Sequence, residues 1–470
     1  MADGTGIHDG SDLTKIVFAQ EERNMRRKLA TAPWLVAVIV ALVVSACGGS
    51  SDKSSSSSST TAGAKSLKGQ TITYWASNQA KDVPSDYKLL KPELAKFTAQ
   101  TGVNVNLRVI GWADLFNNIT AATTSGKGPD VLNIGNTWSA SLQATGAFLP
   151  FDGGTLGQIG GKDKFLATSF SATGAPGKDP TSVPLYGLAY TLFYNTKLFK
   201  QAGISAPPKT WSEFVADAKK LTKPPDQYGV TLEGGSISEG AHFAFILGQQ
   251  LKHDLFAGDK PQFDSPEEVK AVKAYVDLMG DDKVVKPNDA TFQQGPEASE
   301  EFAKGKTGML ISQNNTENNL KSAGMAKSAY GIAPVPVLDG STKPIMTHVA
   351  GINVSVFQNS QHKDAALAFV KFLTSPTEQV ALNKAFGSLP VVRAAQDDPA
   401  FKGQNLKTFN SILADHAAPM PLIAQEGQME QFLGAAIKGL VATAASKGTV
   451  SDAQVKAALS DANEKMAAAG

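Results

Sequence analysis

The stretch Gly128-Pro129-Asp130-Val131-Leu132-Asn133-Ile134-Gly135-Asn136-Thr137-Trp138 decides the fold class of this chain. Residues 130–134 form a short segment with Val131, Leu132 and Ile134 as its apolar members, as in a buried strand, and polar and aromatic residues follow it directly. Two further predicted strands precede them, residues 71–75 and the alternating segment 103–109, with a predicted helix after each. This β-α-β-α-β order predicts an α/β fold, with a largely parallel sheet and helices on both of its faces.

Aromatic and polar side chains follow the predicted strands. In open α/β sheets, ligands bind beyond the carboxyl ends of the strands. We therefore expect Trp75, Asn136, Thr137 and Trp138 to line a binding site. The alternative for the two tryptophans is that they only fill the core.

Composition excludes several classes of function. The chain has 470 residues, 42% of them hydrophobic, which is enough for two or three domain-sized units. Lys plus Arg number 44 and Asp plus Glu number 43, so we expect no nucleic-acid partner. The single cysteine excludes an internal disulfide or a CxxC site, and neither HExxH nor GxSxG occurs. We expect no metal, no cofactor and no catalytic residue.

The N-terminal region predicts export. A cationic cluster, Arg26-Arg27-Lys28, precedes an apolar run at residues 35–44, and that run is shorter than the roughly 20 residues that span a bilayer. The following Val44-Ser45-Ala46-Cys47 resembles the lipobox of bacterial lipoproteins. We therefore interpret residues 1–46 as an N-terminal extension and lipoprotein signal peptide, with Met25 as the expected start of translation.

The single cysteine, Cys47, is the expected site of lipid attachment. We expect acylation of Cys47 to anchor the mature chain on the extracytoplasmic face of the cell membrane. Residues 47–66 are rich in serine and nearly free of apolar residues, which is typical of a flexible tether. Such a tether reaches on the order of 20–25 Å.

Several motifs occur in a fixed order after Gly69. They are Gly128-Pro129-Asp130-Val131, Gly146-Ala147-Phe148-Leu149, Val183-Pro184-Leu185-Tyr186, Phe193-Tyr194-Asn195, Pro208-Lys209-Thr210-Trp211, Gly305-Lys306-Thr307-Gly308-Met309, Ala350-Gly351-Ile352-Asn353 and Leu389-Pro390-Val391. Each motif is weak alone. The ordered set resembles the carbohydrate-binding lipoproteins of ABC importers, a family similar to the maltose-binding protein group.

This resemblance implies a two-lobe, periplasmic-binding-protein-like fold with hinge crossovers and a ligand cleft between the lobes. Lobe one would comprise residues 67–187 with 352–393, and lobe two residues 188–351 with 394–470. The resemblance also implies a monomer that delivers its solute to the permease subunits of an ABC transporter.

The resemblance also implies ligand-binding residues in the second lobe and the crossovers. These are Tyr190, Glu239, His242, Phe243, Asn314, Asn315, Gly351 and Glu430. For His242 a purely structural role is the alternative. The family often carries aromatic residues at the positions that here are Asn315 and Glu430.

Replacing two aromatic residues by polar ones favours a small polar solute, or a short sugar bound mainly by hydrogen bonds. The expected ligand is a mono- to oligosaccharide. One alternative is a non-sugar polar solute, although arginine occurs only at Arg108 and Arg393 after the tether, which argues against an anion. The other alternative is a secreted carbohydrate-active enzyme.

Overall fold

The computed structural model of the protein describes residues 67–469. The signal peptide predicted for residues 1–46, the acylation site Cys47 and the tether at residues 47–66 lie outside the described residues. Within residues 67–469, no helix combines the length and the apolar character needed to cross a bilayer.

The strands of the described region carry the labels used below. They are β1 Thr71–Ser77, β2 Asn104–Ile110, β3 Val131–Gly135, β4 Val183–Leu188, β5 Tyr190–Asn195, β6 Tyr228–Thr231, β7 Phe256–Ala257, β8 Lys260–Pro261, β9 Thr307–Gln313, β10 Tyr330–Ala333, β11 Thr347–His348, β12 Ala350–Val356 and β13 Ala417–Ala418.

The α-helices are referred to by their bounds. They are Val83–Thr101, Trp112–Ser125, Ser139–Ala144, Gly153–Gln158, Ala167–Phe170, Thr196–Gln201, Trp211–Leu221, Ile237–Gln250, Pro266–Asp277, Gly295–Ala303, Thr316–Ser322, Lys363–Leu373, Pro376–Phe386, Gln404–Asp415, Glu426–Lys447 and Asp452–Ala469. Short 3₁₀ helices lie at Asn136–Trp138, Lys162–Lys164, Pro287–Thr291, Lys327–Ala329, Arg393–Ala395 and Pro399–Phe401.

The first large sheet has the strand order β2-β1-β3-β12-β4. Strands β1, β2 and β3 are parallel, as the β-α-β-α-β pattern predicts, whereas β12 runs antiparallel to both of its neighbours. Strand β1 continues to Ser77, two residues beyond the predicted end at Trp75. The first residue beyond the carboxyl end of β1 is therefore Asn78.

The second large sheet has the order β10-β5-β9-β6, with β5 antiparallel to β10 and β9, and β6 parallel to β9. The chain passes from the first sheet to the second at Ala189, between β4 and β5. It returns at Val349, between β11 and β12. The predicted two-lobe α/β fold with crossovers between its sheets is confirmed.

A close crossing of two helices sets the positions of side chains near the second sheet. The helix Glu426–Lys447 packs against Ile237–Gln250 through Gly434, where a Cβ atom would lie 2.1 Å from the carbonyl oxygen of Ile237. Only glycine allows this approach, because a Cβ atom there would overlap backbone. The crossing brings Glu430 within reach of His242.

Candidate functional site

A cavity of about 240 Å³ lies between the two large sheets, next to the carboxyl ends of β1, β3, β6 and β9. Its lining residues fall into two groups with different chemistry. The group beside the first sheet, called the neutral wall, comprises Asn78, Gln79, Ala80, Trp112, Phe116, Asn136, Thr137 and Trp138. The group that carries the titratable side chains, called the charged wall, comprises Glu233, Glu239, His242, His348, Glu430 and Lys438.

A buried carboxylate holds the first segment of the neutral wall in place. Asp86, in the helix Val83–Thr101, accepts hydrogen bonds from the backbone N–H groups of Gln79 at 3.1 Å and Ala80 at 3.3 Å, and from the side chain of Asn78. Burial raises the pKa of Asp86 to about 6, against the opposing effect of these hydrogen bonds. The indole N–H of Trp112 donates to the carbonyl oxygen of Asn78 at 2.7 Å.

Three aromatic rings form the apolar part of the neutral wall. The Trp138 ring centroid lies 5.0 Å from that of Phe116 and 5.7 Å from that of Trp112, and the latter pair meets edge to face. These separations are those of favourable aromatic pairs. The rings therefore support one another and leave apolar surface facing the cavity.

Asn136 connects the neutral wall to the crossover. Its side-chain amide donates a 2.7 Å hydrogen bond to the carbonyl oxygen of Val349. Nearby, a Cβ atom on Gly351 would lie 2.6 Å from the carbonyl oxygen of Tyr186, so this strand pairing requires glycine. Both contacts fix the returning chain against the cavity.

The charged wall contains a row of hydrogen-bonded and charged groups. The Tyr190 hydroxyl donates to Glu239 Oε1 at 2.6 Å and lies 3.1 Å from His242 Nδ1. On its other side, His242 Nε2 lies 3.5 Å from Glu430 Oε1. Burial opposes the charge on His242, but the two adjacent carboxylates raise its pKa to about 9. His242 is therefore an imidazolium near neutral pH.

Glu430 touches both walls. Its Oε2 accepts a 2.7 Å hydrogen bond from the Trp138 indole N–H, and its side chain is buried. Burial opposes ionisation, yet His242 lowers the pKa of Glu430 below its usual value. A buried, charge-assisted hydrogen bond of this kind contributes about 1.5–3 kcal/mol. It links the 3₁₀ helix Asn136–Trp138 to the helix Glu426–Lys447.

A second contact between the walls lies one turn away. A Cβ atom on Gly427 would come within 2.5 Å of the Phe116 ring and 3.2 Å of the Ser141 hydroxyl. The absence of a side chain at Gly427 therefore lets the start of the helix Glu426–Lys447 lie directly against Phe116.

His348 is the neutral partner of His242. The two imidazole rings lie 4.1 Å apart at an interplanar angle of 35°. Burial and the charge of His242 lower the pKa of His348 well below its usual value. Its Nδ1 has no hydrogen-bond partner among residues 67–469.

Comparison with known proteins identifies the chain at the level of family. The sequence profile of the bacterial extracellular solute-binding protein family matches residues 80–380, which is more than half of the chain. The chain belongs to this family.

Relatives and solved structures agree with this assignment. The solute-binding protein is 29% identical over 396 residues to the diacetylchitobiose-binding protein DasA of Streptomyces coelicolor, covering 80% of this chain and 88% of DasA. It is 26% identical over 303 residues to the sn-glycerol-3-phosphate-binding protein UgpB of Escherichia coli K12, covering 59% of this chain and 64% of UgpB.

In fold, the solute-binding protein resembles a Thermotoga lettingae ABC transporter solute-binding protein whose structure contains α-D-tagatose. The TM-score is 0.74 at 21% identity, covering 84% of this chain and 100% of the other. The family resemblance inferred from the ordered motifs is confirmed, and the family and its neighbours are extracellular binding proteins.

Most of the ligand-binding residues predicted for the solute-binding protein line the cavity. They are Asn136, Thr137, Trp138, Glu239, His242, Asn315, Gly351 and Glu430. Asn136 to Trp138 lie just beyond the carboxyl end of β3, as expected for ligand-binding residues of an open α/β sheet. Glu239 and His242 lie three residues apart on one face of the helix Ile237–Gln250.

Four predicted residues do not line the cavity. Trp75 lies within β1, with the Arg108 guanidinium 4.9 Å from its ring centre, because the strand runs on past it. Phe243 packs on Tyr275 in the core, since it points to another side of the helix than His242. The Asn314 side chain instead accepts a hydrogen bond from the backbone N–H of the crossover residue Ala189 and donates one to the carbonyl oxygen of Gly387. Tyr190 reaches the site only through Glu239 and His242.

Sequence reasoning missed several lining residues of the solute-binding protein. Asn78 and Gln79 follow β1 directly, and the strand-end rule would have found them had the end of β1 been placed at Ser77. Glu233 precedes Ser236, the N-cap residue of the helix Ile237–Gln250, and no sequence signal marks it. Within residues 67–469, no cluster of His, Cys, Asp and Glu side chains has metal-binding geometry.

Proposed function

We propose that this protein captures a carbohydrate in the cavity between its two sheets and delivers it, unchanged, to the permease subunits of an ABC importer. The observation that carries the proposal is the pairing of an aromatic neutral wall with a charged wall rich in hydrogen-bond acceptors. A sugar has flat C–H faces that pack on aromatic rings. It also has a rim of hydroxyl groups that donate to carboxylates and amides.

The family relatives support a sugar or a sugar-like solute. DasA is named for diacetylchitobiose, and the Thermotoga lettingae structure contains tagatose. UgpB is named for a phosphate ester, but three glutamates line the cavity here and the nearby cations are His242 and Lys438. Such a charge balance disfavours a phosphate.

The size of the cavity supports a small ligand. Its volume of about 240 Å³ lies just below the roughly 300–1,000 Å³ that is typical of small-ligand pockets. The Trp138–Glu430 and Phe116–Gly427 contacts also join the two walls. We expect a mono- or disaccharide to bind better than a long oligosaccharide.

The lobes move around the crossovers in this proposal. Lobe one comprises residues 67–187 with 352–393, and lobe two comprises residues 188–351 with 394–470. Closure would bury the sugar. Each polar group of the site that the sugar leaves without a hydrogen-bond partner would then reduce the binding free energy by about 1–3 kcal/mol. That penalty supplies the specificity.

The anchor is the remaining part of the proposal. Acylation of Cys47 would hold the monomeric protein on the extracytoplasmic face of the membrane, with residues 47–66 as a tether. Mass spectrometry of the membrane fraction tests this by detecting a lipid-modified N-terminal peptide. The variant Cys47→Ala should leave the protein unacylated, and an unmodified wild-type cysteine would contradict the anchor.

Sugar capture is tested by titrating tryptophan fluorescence of the full chain with mono-, di- and oligosaccharides. Trp112 and Trp138 line the cavity, so a bound sugar should change the signal saturably. Trp138→Phe should reduce the change, while Trp75→Phe, outside the cavity, should preserve it. If no sugar gives a saturable change, the proposal is wrong. Recovery of a chemically altered ligand would instead indicate an enzyme.

A further inference from the structure

Two carboxyl groups lie close together where the helix Glu426–Lys447 meets the neutral wall. Glu426 is the first residue of this helix, and Glu430 follows one turn later on the same face. Both residues are buried, at 0% and 1% exposure. A buried carboxyl group has to be neutral, or else matched by a positive charge or by hydrogen-bond donors.

Glu430 has such partners, whereas Glu426 lacks them. Trp138 donates to Glu430 Oε2, and the His242 imidazolium faces Glu430 Oε1. Within residues 67–469, neither carboxyl oxygen of Glu426 accepts a hydrogen bond, and Glu426 takes part in no ion pair. An ionised Glu426 would thus be an uncompensated buried charge beside a second carboxylate.

The other titratable groups near the pair offer Glu426 no cation. His242 lies next to Glu430 and is flanked by Glu239 and the neutral His348, all on the charged wall. From the opposite side, residues 136–144 pack against the start of the helix and contain no titratable side chain. The helix Trp112–Ser125 on that side has a single titratable residue, which is the exposed Asp114.

A proton on Glu426 resolves this arrangement. Protonated Glu426 is a carboxylic acid that can donate to the neighbouring Glu430 carboxylate. Burial, and then the charge of Glu430, raise the pKa of Glu426 well above its usual value. Glu426 is therefore the acid of the pair and Glu430 the carboxylate.

The burial of Glu426 depends on contact between the two sides of the cavity. A Cβ atom on the next residue, Gly427, would lie 2.5 Å from the Phe116 ring and 3.2 Å from the Ser141 hydroxyl. Thr137, beside the same sheet as Phe116, is near enough to both carboxyl groups to lower their pKa values. If the lobes separated, water would reach Glu426, and its carboxyl group would ionise as an ordinary glutamate does.

We infer that closure of the two lobes takes up one proton at Glu426, so that the closed form is favoured at acidic pH and weakened as the pH rises. The inference rests on the proposed function, because it regulates the same cavity. The pKa of Glu426 is raised in the closed form, so its contribution to closure is fully present below the usual glutamate pKa of 4.5. That contribution is lost as the pH rises towards the raised value, by up to about tenfold in the closing equilibrium per pH unit.

The first test needs no sugar. Small-angle scattering of the full chain from about pH 5 to about pH 8 should show a radius of gyration that increases with pH. Glu426→Gln, a neutral side chain of the same size that keeps a donor, should stay as compact as wild type at acidic pH. Glu267→Gln makes the same change at an exposed position and should follow wild type.

The second test counts the proton. Isothermal calorimetry with the sugar that gives the saturable fluorescence change is repeated in two buffers of different ionisation enthalpy. At about pH 6, wild type should take up about one proton per sugar bound, and Glu426→Gln close to none. At about pH 8, Glu426→Gln should bind at least about tenfold more tightly than wild type.

The outcomes separate this inference from sugar capture. If the scattering of wild type does not change with pH, or changes equally in Glu426→Gln, proton-linked closure is wrong and sugar capture is unaffected. It is also wrong if Glu233→Gln, on the charged wall, removes the pH dependence in place of Glu426→Gln. If scattering responds as expected and no sugar produces heat, proton-linked closure stands and sugar capture is wrong. Should Glu426→Gln fail to fold, sugar binding by wild type without proton uptake still contradicts the inference.

Discussion

The two walls of the cavity differ in how their side chains are held. The neutral wall is built from residues that follow strands of one sheet, and Asp86 in the helix Val83–Thr101 fixes its first segment. The charged wall brings together residues from the loop before the helix Ile237–Gln250, from that helix, from β11 and from the helix Glu426–Lys447. If the proposed function is correct, the neutral wall would provide a general sugar-binding surface, while the charged wall would determine stability and selectivity.

The largest effect should come from Glu430, which joins the walls. Glu430→Gln removes the negative charge beside a buried imidazolium, and we expect the free energy of unfolding to fall by about 3 kcal/mol, the lower end for a broken buried pair, because Glu239 remains. Urea denaturation followed by tryptophan fluorescence measures this.

Trp138→Phe removes the indole N–H that donates to Glu430, and it should lower the free energy of unfolding by about 1–2 kcal/mol. The double variant should lose less than the sum of the two single losses. Strict additivity would show that Trp138 and Glu430 are not coupled.

The next effect is a dependence of stability on pH that belongs to the charged wall alone. The folded-state pKa of His242 is raised from 6.5 to about 9, so its stabilising contribution is fully present below pH 6.5 and is lost as the pH rises through 9. The loss should be on the order of 3 kcal/mol. The measurement is the urea-unfolding free energy between pH 6 and about 9.5, for wild type and for His242→Gln. Equal pH dependence in the two proteins would contradict the assignment.

A smaller effect should arise when Asp86, which holds the first segment of the neutral wall, is replaced. Asp86→Ala leaves the backbone N–H groups of Gln79 and Ala80 without their acceptor, and we expect sugar affinity to fall about tenfold as this segment loosens. Calorimetry with the tightest sugar measures it. Asp82→Ala removes the N-cap of the same helix and should reduce stability by about 1 kcal/mol without changing affinity. Equal affinities in both variants would show that Asp86 does not position the wall.

The same contrast explains what the sequence could predict. The parallel strands and the Asn136–Trp138 segment follow from local patterns, because a short apolar run and the residues after it are neighbours in the chain. Trp75 was misplaced because Ala76 and Ser77 do not favour a strand by themselves, yet pairing with β2 extends β1 to Ser77.

The charged wall depends on contacts that no local pattern encodes. Trp138 and Glu430 are 292 residues apart in sequence, and their contact depends on the helix crossing at Gly434. Family resemblance indicated Glu239, His242 and Glu430 as binding residues but gave no information on their mutual charges. Glu233 and His348 required the three-dimensional structure.

The most local effect concerns the contact of the helix Glu426–Lys447 with the neutral wall. Gly427→Ala would place a methyl group 2.5 Å from Phe116, a partly exposed ring that can shift, so we expect a loss of about 1–2 kcal/mol in unfolding free energy. Small-angle scattering should also show a larger radius of gyration as the walls separate. Gly439→Ala makes the same substitution in the same helix, where no atom lies within 4 Å, and should stabilise the protein by up to about 1 kcal/mol. If both variants are equally stable and equally compact, the two walls are not in contact at Gly427, and Glu430 is left as their connection at this end of the cavity.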